Sequence, residues 1–223
     1  MEENKEKIPE EKIRLLNPRN VYDTKSEKLI GLTAHLYDVL GTPDAAGIWL
    51  VYGKEKHGKT LCSLMLANAL SDIKKVLYIS AEEGMSQHFQ ESMKRAGIEV
   101  TQKNLFFSEY LTIKQLKIIL RRHTAPKIVV LDNVTAMLAE LRRDMADKLC
   151  KEFPNVLFIY VAHMVKNEPY TAIAKRIKIW AKAIFLIEGL KALVSGRVKG
   201  GEFNLIEAKA QLYHGHDLKS NNA

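Results

Sequence analysis

Residues 53–60 read G-K-E-K-H-G-K-T, and no other stretch narrows the possible folds of the chain so far. Two glycines separated by four residues, the second followed by Lys59 and Thr60, suit a loop whose backbone amides wrap a phosphate. Without Cβ atoms the chain can approach the anion closely. Such a loop needs a strand leading in and a helix leading out, because the helix N-terminus supplies partial positive charge. Both are present in the flanks. G-I-W-L-V-Y (47–52) is a short apolar run suited to a buried strand. T-L-C-S-L-M-L-A-N-A-L (60–70) is rich in Ala and Leu and free of Gly and Pro. The candidate nucleotide-binding residues are therefore Gly53, Lys54, Glu55, Lys56, His57, Gly58, Lys59, Thr60 and Leu61. Lys59 is placed to reach the β- and γ-phosphates, and the Thr60 hydroxyl to hold Mg²⁺.

The same rhythm continues downstream. K-V-L-Y-I-S (75–80), L-F-F-S-E-Y (105–110), K-I-V-V-L-D-N (127–133) and V-L-F-I-Y-V-A-H (156–163) read as strands. Helical patterns over 85–97, 112–123, 135–153 and 171–183 separate or follow them. A further helix is expected over 27–40, where Leu29, Leu32, Leu36 and Leu40 recur at helical spacing before Gly41. At the C-terminal end, A-I-F-L-I-E and F-N-L-I-E-A-K-A (203–210), joined through G-R-V-K-G-G, read as a β-hairpin. Alternating strands and helices predict an α/β fold, a mainly parallel central sheet flanked by helices, with that antiparallel hairpin at one edge. The expected organisation is a charged tail over 1–15, one domain over 16–212 and a polar tail over 213–223.

The chain has 223 residues, ample for one such domain. No apolar run is long enough to span a bilayer, and the charged start has no secretory core, so a cytoplasmic protein is expected. Cys62 and Cys150 form no metal or redox motif, and His214 and His216 in Y-H-G-H-D lack a third ligand. The net charge of +8 is lopsided. Residues 1–110 carry 15 Lys and Arg against 16 Asp and Glu, whereas 111–223 carry 19 against 10. A basic half is what a polyanion-binding face needs.

A phosphate loop needs a second carboxylate to orient magnesium. Asp132 ends the strand K-I-V-V-L-D, on the same sheet edge as the loop, and is the candidate. Two more acids follow the strand after the loop helix, in A-E-E-G (81–84). Here G-K-E-K-H-G-K-T, V-L-Y-I-S-A-E-E-G, I-V-V-L-D-N and V-L-F-I-Y-V-A-H together resemble the core of RecA-like P-loop ATPases, the superfamily of RecA, RadA and DnaB-type proteins. The resemblance spans roughly residues 29–210. It implies ATP and Mg²⁺ as ligands, Asp132 as the Walker B acid, Glu82 as the residue polarising the attacking water, Glu83 as its neighbour, and His163 as the γ-phosphate sensor. Lys59, Glu82 and His163 are then the catalytic candidates.

The resemblance also implies an oligomer with ATP sites between subunits, completed in trans by an Arg or Lys. Arg176, Lys178 and Arg197 all qualify by type. In this family the loop after the sensor strand lines the DNA path, and here that region carries Lys166, Tyr170, Lys175, Arg176, Lys178 and Lys182. Lys175, Lys178 and Lys182 share one helical stripe, suited to gripping phosphates without reading sequence, and Tyr170 could stack on a base. The expectation is a Mg²⁺-dependent ATPase acting on single-stranded DNA in replication, recombination or repair. The alternative is an ATP-dependent switch that recruits a protein partner without DNA. A small-molecule kinase is disfavoured by the absence of an arginine-rich lid segment. Residues resembling the accessory domains of replicative helicases, RadA and RecA are not found in these 223 residues, so a bare core is the expectation.

Overall fold

A computed structural model describes residues 15–141 and 145–220, with side chains up to His214. The elements run α1 (Pro18–Tyr22), α2 (Ala34–Leu40), β1 (Gly47–Gly53), α3 (Lys59–Ser71), β2 (Val76–Ser80), α4 (Gln87–Arg95), β3 (Leu105–Ser108) and α5 (Ile113–Leu120). They continue with β4 (Ile128–Asp132), α6 (Met145–Glu152), β5 (Leu157–Val165), β6 (Glu168–Pro169), α7 (Ala172–Trp180), β7 (Ala183–Glu188), β8 (Lys191–Gly196), β9 (Gly201–Asn204) and α8 (Glu207–Ser220).

The strands form one sheet in the order β3-β2-β4-β5-β1-β7-β8-β9, with β6 paired to β5. From β3 to β7 every neighbour is parallel, and β8 and β9 add an antiparallel edge. Alternation along β1 shows why the sheet is covered on both faces. Trp49 and Val51 point into a core built with α2, α3 and α4. Ile48, Leu50 and Tyr52 point into a second core built with α5, α6 and α7. A strand buried on both sides must be apolar throughout, which is why the parallel strands read as unbroken hydrophobic runs. Each large side chain fully removed from water contributes about 1.5–3 kcal/mol.

Several local expectations are corrected. The helix over 27–40 begins only at Ala34: Gly31 has φ +93°, and Leu29 is buried in extended chain whose amide donates to the Pro43 carbonyl. The helix over 135–153 is confined to α6. Before it, the Asn133 side chain accepts from the amides of Thr135 and Ala136 and holds the chain in turns. The C-terminal hairpin is a three-stranded meander. Its middle strand, β8, was not expected, and residues 207–210 are helical. The polar tail over 213–223 is helical to Ser220, with Tyr213 packed edge-on against His57. The charged tail over 1–15 falls, but for Leu15, outside the described residues. No described helix is long and apolar enough to cross a membrane.

Candidate functional site

Parallel register brings the chemistry to one edge of the sheet. Gly53 at the end of β1 pairs with His163 on β5, and Ser80 at the end of β2 pairs with Asp132 at the end of β4. Glu82 and Glu83 follow β2 directly. Asp132, His163, Glu82 and Glu83 line a cleft of about 520 Å³ together with Glu55, Lys56, Gly58, Lys59, Thr60 and Leu61. That volume is in the range of small-ligand sites.

The loop itself is held by backbone geometry that glycine makes possible. A Cβ on Gly53 would lie 2.3 Å from the Ile187 carbonyl oxygen. Gly58 sits at φ +102°, and a Cβ there would meet Leu190 at 2.6 Å. His57 is tied to the β7–β8 turn: its Nδ1 accepts from the Gly189 amide at 3.0 Å, and its carbonyl accepts from the Leu190 amide at 3.2 Å. Burial, then the nearby Lys54 and Lys59, lower the pKa of the His57 ring, consistent with a neutral acceptor. Lys54 presents its carbonyl to the ammonium of Lys59 at 2.8 Å. Lys59 is buried, and its pKa is lowered by that burial, although Asp132, Glu82 and Glu55 pull the other way.

Asp132 is buried, which pushes its carboxyl up to about 6; Glu83 and Glu82 add repulsion, while hydrogen bonds from the Tyr78 and Thr60 hydroxyls oppose the rise. Tyr78 Oη donates to Asp132 Oδ2 at 2.6 Å, and Ser63 Oγ lies 2.8 Å from the same phenol oxygen. A buried carboxylate and a helix-start hydroxyl lining the same cleft form a hard oxygen pair of the kind Mg²⁺ uses when phosphates and water complete its shell. The residues fit the ion: Thr60 and Asp132 would hold it, and it would neutralise phosphate charge. Among the described residues no group of three or more His, Cys, Asp or Glu is arranged for a metal. His214 instead contacts the Glu188 carbonyl at 3.1 Å, and the His216 side chain falls outside the described residues.

Glu82 and His163 meet through Asn133, which sequence reasoning passed over although it closes the quoted run K-I-V-V-L-D-N. The Asn133 amide donates to Glu82 and lies 2.9 Å from His163 Nε2, and the two outer groups are 3.5 Å apart. Leu190, Ile206 and Lys209 from the C-terminal segment, and Ser92 and Arg95 from α4, also line the cleft. None carries a motif that would have disclosed it.

Neither a protein-family model nor a curated protein sequence matches the chain. Solved structures do. The KaiC-like protein PH0186 from the hyperthermophilic archaeon Pyrococcus horikoshii OT3 superposes with a TM-score of 0.59 at 13% identity, over 81% of this chain and 94% of that one. The flagellar accessory protein FlaH from Methanocaldococcus jannaschii superposes with a TM-score of 0.57 at 15% identity, over 79% and 91%. The fold is the RecA-like α/β fold.

Against that RecA-like frame, the basic residues fall into two groups. Lys178 bonds both carboxylate oxygens of Glu168 at 3.2 Å and lies over the Tyr52 ring. Lys182 is not on the helix as expected, since α7 ends at Trp180. It bonds Asp44 at 2.8 Å and the Ala46 carbonyl at 3.1 Å, at the opposite edge of the sheet. Arg176 stacks on Trp180. Lys166 at the β5–β6 turn, Tyr170 and Lys175 are exposed. Arg197 is exposed on the β8–β9 turn.

Proposed function

We propose that this RecA-like protein binds ATP with Mg²⁺ in the P-loop cleft and hydrolyses it to ADP and phosphate, as a switch whose nucleotide state governs association with copies of itself and with a protein partner. The observation that carries the reading is the convergence of Lys59, the Thr60–Asp132 pair and the Glu82–Asn133–His163 group in one cleft. In this reading the loop amides and Lys59 cradle the phosphates, and Glu82 orients a water and accepts its proton. The water oxygen forms the new bond to the γ-phosphorus. The bond to the β–γ bridging oxygen breaks, ADP leaves with the electron pair, and the proton passes on to phosphate or solvent. Phosphoryl transfer of this kind depends on positioning and charge stabilisation more than on a strong base. His163 faces the same space and suits a γ-phosphate sensor. Of the three candidates for completing a neighbour's site, Arg197 is the best placed to reach outward, because Lys178 and Arg176 are engaged within α7 and its surroundings.

Two observations favour a protein partner over DNA. Two of the six expected DNA contacts, Lys178 and Lys182, are paired with acids of the same chain. One structural neighbour is a flagellar accessory protein. A DNA-acting role keeps support from Lys166, Tyr170 and Lys175, which the β5–β6 turn and α7 leave exposed. Turnover with and without single-stranded DNA at low salt, where phosphate contacts bind tightest, separates the two. The switch reading expects turnover indifferent to DNA and an ATP-dependent change in assembly by light scattering. A DNA-raised rate, lost when Lys166 and Lys175 are changed to Glu, would replace it with the DNA reading.

A further inference from the structure

Asn133 sits where two candidate catalytic groups come together, and its own chemistry fixes how it faces them. It is 1% exposed, so each of its polar atoms needs a partner. Its Oδ1 accepts from the amides of Thr135 at 2.8 Å and Ala136 at 3.2 Å. Those two donors decide the orientation of the side chain, since a flipped amide would point NH₂ at two N–H groups and its oxygen at a carboxylate. The NH₂ group is therefore aimed into the cleft. One hydrogen goes to Glu82, and the other faces His163 Nε2 at 2.9 Å. The histidine must then accept at Nε2 and carry its proton on Nδ1, an atom that is buried and has no partner. The ring is held by one bond at Nε2 and left unsatisfied at the other nitrogen, which favours its rotation once a phosphate oxygen offers an acceptor.

We propose that Asn133 is a positioning residue of the hydrolytic site: it holds the Glu82 carboxylate and the His163 ring in one hydrogen-bonded unit, so that engagement of His163 by the γ-phosphate is transmitted to the group that orients the water. The inference rests on the ATPase reading given above. Glu82 has a side chain about half exposed, 52% by area, and on a mobile stem it needs such an anchor to present one oxygen to the water. The competing role for Asn133 is to cap the turn after β4 and nothing more.

Substitution separates the two roles. Asn133→Asp keeps an oxygen on the Thr135 and Ala136 amides but removes the donor to Glu82 and His163. Asn133→Ala removes both functions. Measured together should be the affinity for a fluorescent ATP analogue, KM and kcat. Positioning predicts that Asn133→Asp binds the analogue within about threefold of wild type, with kcat down roughly 10–100-fold, the scale of a misplaced catalytic group. It also predicts no further loss when Asn133→Asp is added to Glu82→Gln, because a residue acting through another is non-additive with it. A kcat for Asn133→Asp within twofold of wild type, with only Asn133→Ala impaired, reduces the residue to a turn cap and overturns the proposal. Wild-type protein that binds the analogue but never turns ATP over removes the ATPase reading instead, and this role with it.

Discussion

The two edges of the central sheet use charge in opposite ways. At the edge carrying the P-loop, Lys59 is buried beside Asp132, Glu82 and Glu55, yet its one hydrogen bond goes to the Lys54 carbonyl. Asp132 is held by hydroxyls rather than by a cation. At the other edge, Asp44 is gripped by Lys182 and Lys28 and bonded by Ser26. The Asp44 charge is thus matched within the chain. In the proposed reading, charges at the loop edge are matched by phosphate and metal. Burying groups before such matching costs stability, and proteins tolerate the cost where ligand binding recovers it.

The comparison breaks most visibly at Lys59. Lys59→Ala should lower kcat/KM for ATP by about 10³-fold, the scale of losing one preorganised charge on a transferring phosphoryl group. A single-turnover assay measures it directly. Unchanged turnover would mean that the buried ammonium serves the fold alone. A smaller loss is expected from Glu82→Gln: roughly 10²-fold in kcat, with ATP binding retained, because the amide fills the carboxylate's space but takes no proton from the water. Equilibrium binding against turnover tells binding from chemistry. If Glu82→Gln turns over like wild type, the acid is a solvated strand-end residue.

Much of the loop edge was legible in the sequence because its requirements are local. Gly53, Gly58, Lys59 and Thr60 must be contiguous to shape the loop, and Asp132 must close an apolar strand. Parallel register then carries them to one edge without any further signal. What stayed hidden depends on distance or on backbone state. Lys182 meets Asp44 across 138 positions of chain, so a helical stripe of lysines looked available when part of it was already paired. Leu190 takes φ +63° in the β7–β8 turn, where Gly or Asn is usual, and leans on Gly58 of the P-loop. A leucine in that conformation leaves no mark in composition or periodicity. The C-terminal helix was missed for a related reason: Y-H-G-H-D contains a glycine and few apolar residues, and packing of Tyr213 on His57 overrides that weak propensity.

The smallest expected effect tests the opposite edge. Asp44→Asn removes the charge shared by Lys28 and Lys182 while keeping the shape. Both lysines and the acid are partly exposed, so the loss should be about 0.5–1 kcal/mol, or about 1–4 °C in Tm for a domain of this size. ATP turnover should not change. The acid dependence has a definite sign. The bond from Lys182, then that from Lys28, holds the Asp44 carboxyl far below the usual carboxylate range. A depressed folded-state value contributes stability that is complete above the unfolded pKa of about 4 and fades as the pH falls below it. Thermal melts of wild type and Asp44→Asn should therefore differ at pH 7 and converge as the solution is acidified toward pH 3. The same variant releases Lys28 and Lys182, the second of which is one of the expected DNA contacts. If it gains affinity for single-stranded DNA in proportion to falling salt, the lysines are capable of phosphate contact and only their own acid restrains them. If the substitution adds no affinity, Lys28 and Lys182 are structural charge, and the division between the two edges stands.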